Sequence, residues 1–464
     1  EGRLVVFTKG APDVLLTRCT HELVGEERRP LTPERRERIL RTGESLAGQA
    51  LRTLGVALRW LPDGVLAAER PVDAGVEREL VFAGLIGMMD PPRPEAKDAV
   101  ARARAAGIRP MMITGDHPET ASVIAAELGI GEGRKAVSGA ELDRLDDDAL
   151  QRAVAEVSVY ARVNPEHKLR IVQALQRAGA TVAMTGDGVN DAPALKTADI
   201  GVAMGIAGTD VSRQAADIVL ADDNFASIVA AVEEGRAIFA NIRKFLRFLL
   251  SSNIGEVLTM FLGVLLADRL GLSAGGDGVA LPLLATQILW INLVTDGAPA
   301  LALGVDPADE DLMHLPPRPA GESVITPRMW WDILLVGGIM AAATLFVLDA
   351  SLPGGLVKGS GDLRYGQSMA FTTLMLAQLF NVFNARSDHR SAFAGLFTNR
   401  WLWGAVGLSI VLQVLVLYLP ALQRAFGTVP LTGGDWLRCL AAASSVLWLR
   451  EAGKVVRRRS PSFR

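Results

Sequence analysis

Met184-Thr185-Gly186-Asp187-Gly188-Val189-Asn190-Asp191 is the stretch that decides how this chain is expected to fold. The uncharged, β-branched run 181–184 predicts a short buried strand that ends at a Gly-Asp-Gly turn. Ligands of open α/β sheets bind just outside the carboxyl ends of the strands, so chemistry is expected at this turn. Asp187, Asn190 and Asp191 supply the oxygen ligands that Mg²⁺ prefers beside phosphate and water. The stretch therefore predicts a magnesium site; the alternative is a loop of turn-forming residues that binds nothing.

Short β-like runs alternate with helical segments on both sides of this stretch. The strands are predicted at 81–88, 109–113, 157–160, 181–184 and 200–203. The helices are predicted at 96–106, 119–128, 166–177 and 192–198. Alternation of this kind is typical of a parallel sheet covered by helices on both faces. The expected fold class of this part of the chain is therefore α/β.

Thr114-Gly115-Asp116 follows the predicted strand 109–113 and precedes a helix that is expected to begin near Pro118. A hydroxyl group and backbone N–H groups at a helix N-terminus can hold a phosphate group. All three residues of this tripeptide are therefore candidate phosphate-binding residues. The alternative is an ordinary turn between a strand and a helix.

Lys168 falls in the first turn of the helix that Pro165 is expected to begin, and it should point back toward the end of the sheet. A lysine at a helix N-terminus matches the helix dipole poorly unless an anion offsets its charge. This position predicts a site for an anionic group, and a surface lysine remains the alternative. We expect the neighbouring His167 to be exposed to solvent.

Charged residues and apolar runs divide the chain into two halves of different character. Half of the residues are hydrophobic, and the mean hydropathy is +0.26, a high value for a soluble protein. Arg, Asp and Glu are concentrated in residues 1–240, whereas long apolar runs fill residues 245–450. We therefore expect a soluble half followed by a membrane half. The net charge of −3 gives no support for a nucleic-acid partner, and Cys19 and Cys439 lack the spacing of a metal or redox site.

Six stretches of the second half are candidate membrane spans. They lie at about 245–267, 281–303, 329–349, 367–386, 401–420 and 434–450, and Arg438 makes the last one the weakest. Roughly 20 apolar residues are enough to cross the ~30 Å hydrocarbon core of a bilayer. An even number of spans leaves both ends on one side, and the basic tail 454–459 predicts that this side is the cytoplasm. The soluble domains are therefore expected on the cytoplasmic side of the membrane.

Polar side chains inside the predicted spans mark a candidate cation site. One helical face carries Asn253 and Glu256, and another carries Asn292, Thr295 and Asp296. A carboxylate inside a membrane is costly and points to a function. A ligand set made only of oxygen atoms suits Ca²⁺ better than a soft metal. The run 296–299 should also loosen its helix and free backbone carbonyl groups; the alternative to a cation site is a structural polar seam between helices.

The stretch Thr185-Gly186-Asp187-Gly188-Val189-Asn190-Asp191-Ala192-Pro193-Ala194-Leu195 resembles the hinge motif of P-type cation-transporting ATPases, and the similarity extends through almost the whole chain. It is closest to the calcium pumps of the sarco/endoplasmic-reticulum type and their bacterial relatives. The resemblance implies the C-terminal part of a nucleotide-binding domain at 1–80. A Rossmann-like phosphorylation domain of the haloacid-dehalogenase type would follow at 81–240, and a transmembrane bundle of six helices at 241–464.

The resemblance also implies residues that contact the nucleotide. Lys9 begins the stretch Lys9-Gly10-Ala11-Pro12, which is predicted to form a turn, and Lys9 and Arg52 would contact ATP. Arg93 ends the motif Asp90-Pro91-Pro92-Arg93, which would lie at the entrance to the phosphorylation site. Arg162 would lie near the interface between the nucleotide-binding and phosphorylation domains.

At the site of phosphoryl transfer, the resemblance implies two groups of residues. Asp187 would hold Mg²⁺, and Asn190 and Asp191 would support it. Thr114, Gly115 and Lys168 would stabilise the phosphoryl group, which is the electrostatic task of this reaction. The implied cofactors are ATP and Mg²⁺.

In the membrane half, the resemblance assigns the ligand role to Asn253, Glu256, Asn292, Thr295 and Asp296. Gln378 departs from the family pattern, because the two-calcium pumps carry a glutamate there. A neutral glutamine removes a charge, so the number of ions per cycle and of countertransported protons stays open.

No Asp-Lys-Thr-Gly-Thr motif occurs in the chain, so the aspartate that would accept the phosphoryl group is absent from it. We therefore expect the C-terminal part of an ATP-driven pump that exports Ca²⁺ across the plasma membrane. Its expected partners are the lipid bilayer, the transported cation and the N-terminal part of the same pump. The alternatives are a pump for Mn²⁺, Na⁺ or H⁺, a phosphatase-like hydrolase fused to membrane spans, and a non-catalytic membrane relative.

Overall fold

The computed structural model describes residues 4–48, 51–61, 74–89, 92–131, 135–272, 280–309, 311–319, 321–387 and 390–459. The chain divides into two compact units. The first comprises Glu1–Val232 and Met313–Ala320, and the second comprises Glu233–Leu312 and Gly321–Arg464.

The first unit begins with a five-stranded sheet. Its strands are β1 (Val5–Gly10), β2 (Cys19–Val24), β3 (Glu27–Pro30), β4 (Leu51–Trp60) and β5 (Leu80–Met89), in the order β1-β4-β5-β2-β3. The helices α1 (Pro12–Thr17) and α2 (Pro33–Ala47) complete this part. Leu15 and Leu16 of α1 and Ile39 of α2 are buried in one core with residues of the sheet.

The predicted strand 81–88 exists as β5, but the prediction that it begins the parallel sheet is wrong. β5 pairs with β4 in antiparallel orientation and with β2 in parallel orientation. Leu80 and Phe82 of β5 are buried in the core of the five-stranded sheet. An apolar run predicts a strand, but it carries no information about which neighbour that strand will bind.

The rest of the first unit is α/β, as predicted, although its described strands form two parallel sheets. One sheet has the order β6-β8-β7 and contains β6 (Met112–Ile113), β7 (Val137–Ser138) and β8 (Val159–Ala161). The other has the order β11-β10-β9 and contains β9 (Ala183–Gly186), β10 (Ile200–Met204) and β11 (Ile218–Leu220). The helices are α3 (Pro94–Ala105), α4 (Pro118–Leu128), α5 (Gly139–Leu142), α6 (Asp147–Glu156), α7 (Pro165–Arg177), α8 (Ala192–Thr197) and α9 (Asp210–Ala215).

The second unit is helical. Its helices are α10 (Phe225–Leu265), α11 (Ala285–Trp290), α12 (Gly297–Gly304), α13 (Pro327–Asp349), α14 (Leu363–Ala385), α15 (Arg400–Tyr418), α16 (Pro420–Phe426) and α17 (Gly433–Arg459), with a π-helical turn at Ile291–Thr295 between α11 and α12. α10 has 41 residues and starts within the first unit. At 1.5 Å per residue, this helix is roughly 60 Å long.

Within the described residues, three helices are long and apolar enough to cross a membrane: α10, α13 and α15. The other three predicted spans also coincide with helical structure. The span 281–303 is divided among α11, the π turn and α12. α14 carries buried polar side chains, and α17 carries charged ones, so neither has a sufficiently apolar window.

The core of the second unit contains a buried ion pair. The guanidinium group of Arg450 on α17 donates to both carboxylate oxygens of Asp332 on α13, at 2.6 and 2.7 Å. Both side chains are 5% exposed or less. Each of the two charges would be costly to bury alone, so the burial of each depends on its contact with the other.

Replacing Asp332 with alanine should destabilise the helix bundle by about 3–5 kcal/mol, since it removes the carboxylate that accepts two hydrogen bonds from the buried Arg450. The measurement is the thermal unfolding midpoint of the full chain in detergent. The matched control is Glu37→Ala, which breaks an exposed pair with Arg41 and should leave the midpoint almost unchanged. Combining Asp332→Leu with Arg450→Met should restore most of the lost stability. If Asp332→Ala and Glu37→Ala lower the unfolding midpoint equally, the Asp332–Arg450 pair does not have the predicted effect on stability.

A second prediction concerns pH and the five-stranded sheet. Arg35 donates two hydrogen bonds of 2.8 Å to Glu22, and they hold the pKa of Glu22 below its usual value. The pair therefore stabilises the fold above the unfolded pKa of about 4.3, and this stability is lost as the pH falls through the lower folded-state pKa. Glu22→Gln should lower the unfolding midpoint by about 1–3 °C at pH 7, and the difference should vanish near pH 3. The exposed Glu26→Gln is the control, and a difference that persists in acid would refute the explanation.

Candidate functional site

Asp191 organises the loop that follows β9. It is buried, and its Oδ2 accepts the backbone N–H groups of Asp187 at 3.3 Å and of Gly188 at 3.1 Å. A Cβ at Gly186 would lie 2.5 Å from the Cβ of Asp191, so only glycine fits there. The carboxylate of Asp191 therefore fixes the shape of the turn from inside.

Lys168 contacts this carboxylate from the neighbouring helix. Its Nζ lies 2.5 Å from Oδ1 of Asp191. The Asn164 side chain caps the N-terminus of α7 by accepting the N–H of His167 at 2.8 Å, and Pro165 begins the helix. The structure thus brings together two of the predicted site residues, Lys168 and Asp191, at the carboxyl end of β9. An ammonium group has three donors, so this contact leaves capacity for another anion.

The expectation that His167 is exposed is wrong. Its ring is buried, its Nδ1 accepts the N–H of Asn164 at 3.2 Å, and its Nε2 lies 2.7 Å from Oδ1 of Asp143. A Cβ at Gly139 would lie 2.9 Å from the ring, which makes glycine necessary there. His167 therefore fixes the first turn of α7, and with it the backbone position of Lys168.

Asp187 and Asn190 are exposed at the end of β9. The backbone carbonyl of Asp187 accepts the N–H of Thr209 and the hydroxyl of Ser212, both at 2.9 Å. Two hydrogen bonds therefore fix the backbone of Asp187, while the residue stays exposed to solvent. Sequence reasoning missed Thr209 and Ser212, although Thr209 is an N-cap residue of the kind that precedes a helix.

The Thr114 loop lies at the carboxyl end of β6, before α4. The Thr114 hydroxyl donates to Oδ2 of Asp116 at 3.0 Å and accepts the Asp116 N–H at 3.1 Å. Gly115 is exposed, and a Cβ there would meet no atom within 4 Å. This geometry agrees with both the phosphate-binding and the ordinary-turn interpretation.

Arg93 and Arg162 have partners within the first unit. Arg93 donates to the backbone carbonyl of Asp223 at 2.8 Å. Arg162 adopts a left-handed backbone conformation, with φ of 49°, and lies 3.5 Å from the Asp13 carboxylate on α1. In the same motif as Arg93, Asp90 and Pro91 fall outside the described residues.

Asp223, the partner of Arg93, is a buried residue that sequence reasoning missed. Its carboxylate accepts the N–H groups of Ile206 at 3.0 Å and Ala207 at 2.7 Å. These backbone hydrogen bonds, that of Ile206 foremost, hold the pKa of Asp223 below its usual value. Asp223 thereby ties the loop after β10 to the residues that directly precede α10.

Lys9 lies on β1, not in the predicted turn, since the strand continues to Gly10. It is exposed, and Phe7 on the same face of the strand is 72% exposed. Arg52 lies on β4 opposite Met88, and its side chain falls outside the described residues. The backbone thus places Lys9 and Arg52 on two neighbouring strands of one sheet.

In the second unit, Glu256 joins three helical segments. Its Oε2 accepts the Nδ2 group of Asn292 at 2.5 Å, and its Oε1 accepts the Nε2 group of Gln378 at 2.9 Å. Glu256 itself is 4% exposed. Three of the predicted cation ligands, from α10, the π turn and α14, therefore contact one another directly.

Asp296 is the most unusual group of this cluster. It is 1% exposed, and in the described part of the chain neither of its carboxylate oxygens makes a hydrogen bond of good geometry. The Oε1 atom of Gln378 is also without a partner there. Burying a carboxylate without hydrogen bonds of good geometry is costly, so these oxygen atoms are candidates to hold a cation.

The remaining predicted ligands differ in their exposure. Thr295 is buried, and its hydroxyl donates to the carbonyl of Ile291 at 3.0 Å. Asn253 is exposed on α10. Val257 and Leu293, each next to a predicted ligand in the sequence, are 61% and 74% exposed. One side of the ligand cluster is therefore not covered by the described residues of this unit.

No group of three or more His, Cys, Asp or Glu residues in the described ranges could hold a metal ion. A cation in the helix bundle would therefore depend on amide, hydroxyl and carbonyl oxygens beside the two carboxylates of Glu256 and Asp296. Hard cations accept such ligands. At the end of β9, a cation would depend on Asp187 and on oxygen atoms of a bound phosphate.

Three family models match three separate parts of the chain. Residues 1–95 match the model described as P-type ATPase, cytoplasmic domain N. Residues 168–232 match the haloacid dehalogenase-like hydrolase model, and residues 280–456 match the model of the C-terminus of cation transporting ATPases. The soluble part is thus a mixed α/β structure with a haloacid dehalogenase-like segment, followed by apolar helices.

Several curated relatives are similar over nearly the whole chain. The Calcium-transporting ATPase of Bacillus subtilis (strain 168) is 43% identical over 455 residues, which cover 98% of this chain and 49% of the relative. Calcium-transporting ATPase 1 of Bacillus cereus is 44% identical over 93% of this chain and 48% of its own length. Calcium-transporting ATPase 1 of Schizosaccharomyces pombe is 40% identical over 98% of this chain and 48% of its own length. This chain therefore spans about half the length of the curated relatives that it matches.

The matched models follow one another in chain order. The relatives agree with them over 93–98% of the chain at 40–44% identity. These similarities cover both the Lys168–Asp191 pair and the Glu256 cluster. The chain belongs to the family of P-type cation-transporting ATPases.

Proposed function

We propose that this chain is the C-terminal part of an ATP-driven P-type pump that exports Ca²⁺ across the cell membrane through an aspartyl-phosphate cycle. The observation that carries the proposal is Asp296, a buried carboxylate whose two oxygens make no hydrogen bond of good geometry with the described residues. It follows a π turn whose Asn292 is bonded to the buried Glu256. Two carboxylates with amide and hydroxyl oxygens suit a hard divalent cation, and the relatives are named calcium-transporting ATPases.

The identity of the transported ion and the number of ions carried per cycle are also part of the proposal. Gln378 binds Glu256 where the family resemblance leads us to expect a glutamate. The site then has one negative charge fewer than that of a two-calcium pump. Mn²⁺, Na⁺ and H⁺ are the alternative cargoes, since these ligands are not unique to calcium.

Mg²⁺ would bind at Asp187, with support from Asn190. The fit rests on the exposed position of Asp187 at the end of a parallel strand and on its clamped backbone carbonyl. A single carboxylate together with phosphate oxygens is the ligand arrangement that Mg²⁺ accepts. When bound, Mg²⁺ would neutralise charge on the phosphoryl group.

Lys168 would stabilise the phosphoryl group, together with Thr114 and Gly115. The pairing with Asp191 keeps its ammonium group at the end of β9 before any phosphate binds. A charge that is already positioned needs no reorganisation during the reaction, which is the main source of such stabilisation. Lys9 and Arg52 would contact ATP, and Arg162 would lie near the domain interface. Arg93, which donates to the Asp223 carbonyl, would lie at the entrance to the phosphorylation site.

The phosphoryl acceptor would come from a segment outside this sequence, since the chain has no Asp-Lys-Thr-Gly-Thr motif. β6 and β9 are end strands of two separate parallel sheets, and each precedes a candidate phosphate-binding loop. A strand that pairs between them would complete one sheet and bring its own carboxyl end beside Thr114 and Lys168. Strand ends of this kind are where ligands of α/β sheets bind.

We also propose the finer organisation of the chain. The nucleotide-binding part would occupy 1–80 together with the rest of β5, which belongs to its sheet. The phosphorylation domain would occupy the remainder of 81–240, and a transmembrane domain 241–464. The last would contain six helices, including those too polar or too short to qualify by composition alone. The membrane would be the plasma or inner membrane, with both ends of the chain in the cytoplasm, in agreement with the basic tail 454–459.

Glu256→Gln and Asp296→Asn should each raise the half-saturating Ca²⁺ concentration of ATP hydrolysis by about tenfold or more in the complete protein that contains this chain. Removing one partner of a buried charge interaction costs about 2–5 kcal/mol. The measurement is ATPase activity against free Ca²⁺, repeated with Mn²⁺ to identify the cargo. The control is Glu322→Gln, a carboxylate outside the helices that pairs with Arg243. Unchanged Ca²⁺ dependence in both variants would rule out the proposed cation site.

Lys168→Ala should lower the rate of phosphoenzyme formation from ATP by about 10²-fold or more, since it removes a positioned charge from the transition state. Acid-stable, hydroxylamine-labile phosphate is the measured quantity, again in the complete protein. Lys196→Ala, at an exposed lysine of the nearby α8, should have no effect. The isolated 464-residue chain should give no such phosphate, and its detection there would overturn the proposed source of the acceptor.

A further inference from the structure

Two buried polar residues distinguish α15 from an ordinary apolar span. Ser409 and Gln413 lie one helical turn apart and are fully buried, in a helix that qualifies as a membrane span by its apolar composition. Neither residue was predicted as a ligand, and α15 carries none of the predicted site residues. Burying a hydroxyl or an amide is costly unless it is hydrogen-bonded, so the partners of these residues indicate their role.

The partner of Ser409 is a backbone carbonyl that the helix itself cannot satisfy. In an α-helix, the Thr295 carbonyl would accept the N–H of the residue four positions later. That residue is Pro299, which has no N–H. The next N–H group, that of Ala300, donates to the Asp296 carbonyl at 3.0 Å. The Thr295 carbonyl therefore has no backbone donor in its own segment.

Ser409 supplies the missing donor from another helix. Its hydroxyl donates to the Thr295 carbonyl at 3.2 Å. The N–H of the same peptide group, which belongs to Asp296, donates to the Ile291 carbonyl at 2.9 Å across the π turn. The peptide group between Thr295 and Asp296 is thus held at both its N–H and its carbonyl end.

Gln413 extends the contact of α15 to α14. Its Nε2 donates to the Thr372 hydroxyl at 3.2 Å, and that hydroxyl donates to the Ser368 carbonyl at 2.8 Å. α14 also carries Gln378, which binds Glu256. α15 therefore contacts both the π turn and the helix that present candidate ligands.

We propose that Ser409 is a positioning residue for the cation site. This inference rests on the proposed function. By holding the peptide group that joins Thr295 to Asp296, the Ser409 hydroxyl fixes the two side chains before a cation arrives. Rigid placement of ligands reduces the ordering that binding must otherwise provide. Pro299 makes the arrangement necessary, because it removes the only α-helical donor available to that carbonyl.

A purely structural hydrogen bond would have a different signature. It would affect the stability of the bundle and leave the affinity for the cation unchanged. A positioning role changes the half-saturating cation concentration and leaves the rate at saturating cation nearly unchanged, because the chemistry of phosphoryl transfer is untouched. The two roles can therefore be separated by measuring both quantities and the unfolding midpoint on the same variants.

The experiment compares Ser409→Ala with Ser409→Thr in the complete protein that contains this chain, with Ca²⁺ as the probe. Ser409→Ala should raise the half-saturating Ca²⁺ concentration about three- to tenfold, the range that loss of one buried hydrogen bond gives. The maximal ATPase rate should stay within about twofold. Ser409→Thr keeps the hydroxyl group and should restore most of the affinity. Ser444→Ala is the control, since that exposed hydroxyl bonds only within its own helix.

If Ser409→Ala lowers the unfolding midpoint but leaves the half-saturating Ca²⁺ concentration unchanged, the positioning role is refuted, while the proposed function stands. Failure of Ser409→Thr to restore affinity would refute it as well, because the hydroxyl group would not be the cause. If the wild-type protein shows no Ca²⁺ dependence and Asp296→Asn changes nothing, the proposed function itself fails. The same set of variants therefore distinguishes the two failures.

Discussion

The helical unit depends on one interruption of regular hydrogen bonding, between Ile291 and Pro299. A π turn shifts the Asp296 N–H to the Ile291 carbonyl, and Pro299 leaves the Thr295 carbonyl without a backbone donor. A continuous α-helix would satisfy all of its interior backbone groups and leave none to other helices. The interruption is thus what allows α15 to contact this segment through Ser409, and it sets Asp296 apart from an ordinary helical residue.

At the carboxyl end of β9, by contrast, a buried carboxylate has partners for both of its oxygen atoms. Asp191 accepts two backbone N–H groups and contacts Lys168, so it both shapes the loop and positions the Lys168 ammonium group. Asp187, four residues earlier, stays exposed while its carbonyl is held by α9. One carboxylate therefore builds the site and the other remains available, a division of roles that suits phosphate chemistry with a metal ion.

Local patterns predicted the part of this arrangement that depends on neighbours in the sequence. The strand-end rule and the helix start at Pro165 were sufficient to expect Lys168 near the Gly-Asp-Gly turn, and the structure joins it to Asp191. Pairings that depend on distant residues were not predictable. The sheet that β5 joins, the burial of His167 against Gly139, and the contact of Ser409 with Thr295 all require knowledge of which surfaces meet in space. Helical periodicity likewise placed Asn253 and Glu256 on one face, but it could not tell that one is exposed and the other buried.

α10 contributes separately to each unit. In the first unit, Phe225 and Val229 at its start pack with α3, directly after the anchored Asp223. In the second unit, its Glu256 accepts hydrogen bonds from Asn292 and Gln378. Leu293 and Val257 beside these residues are exposed, whereas Glu256 is buried. Helical periodicity fixes which residues of α10 share a face, but the packing of each unit decides which of them are buried.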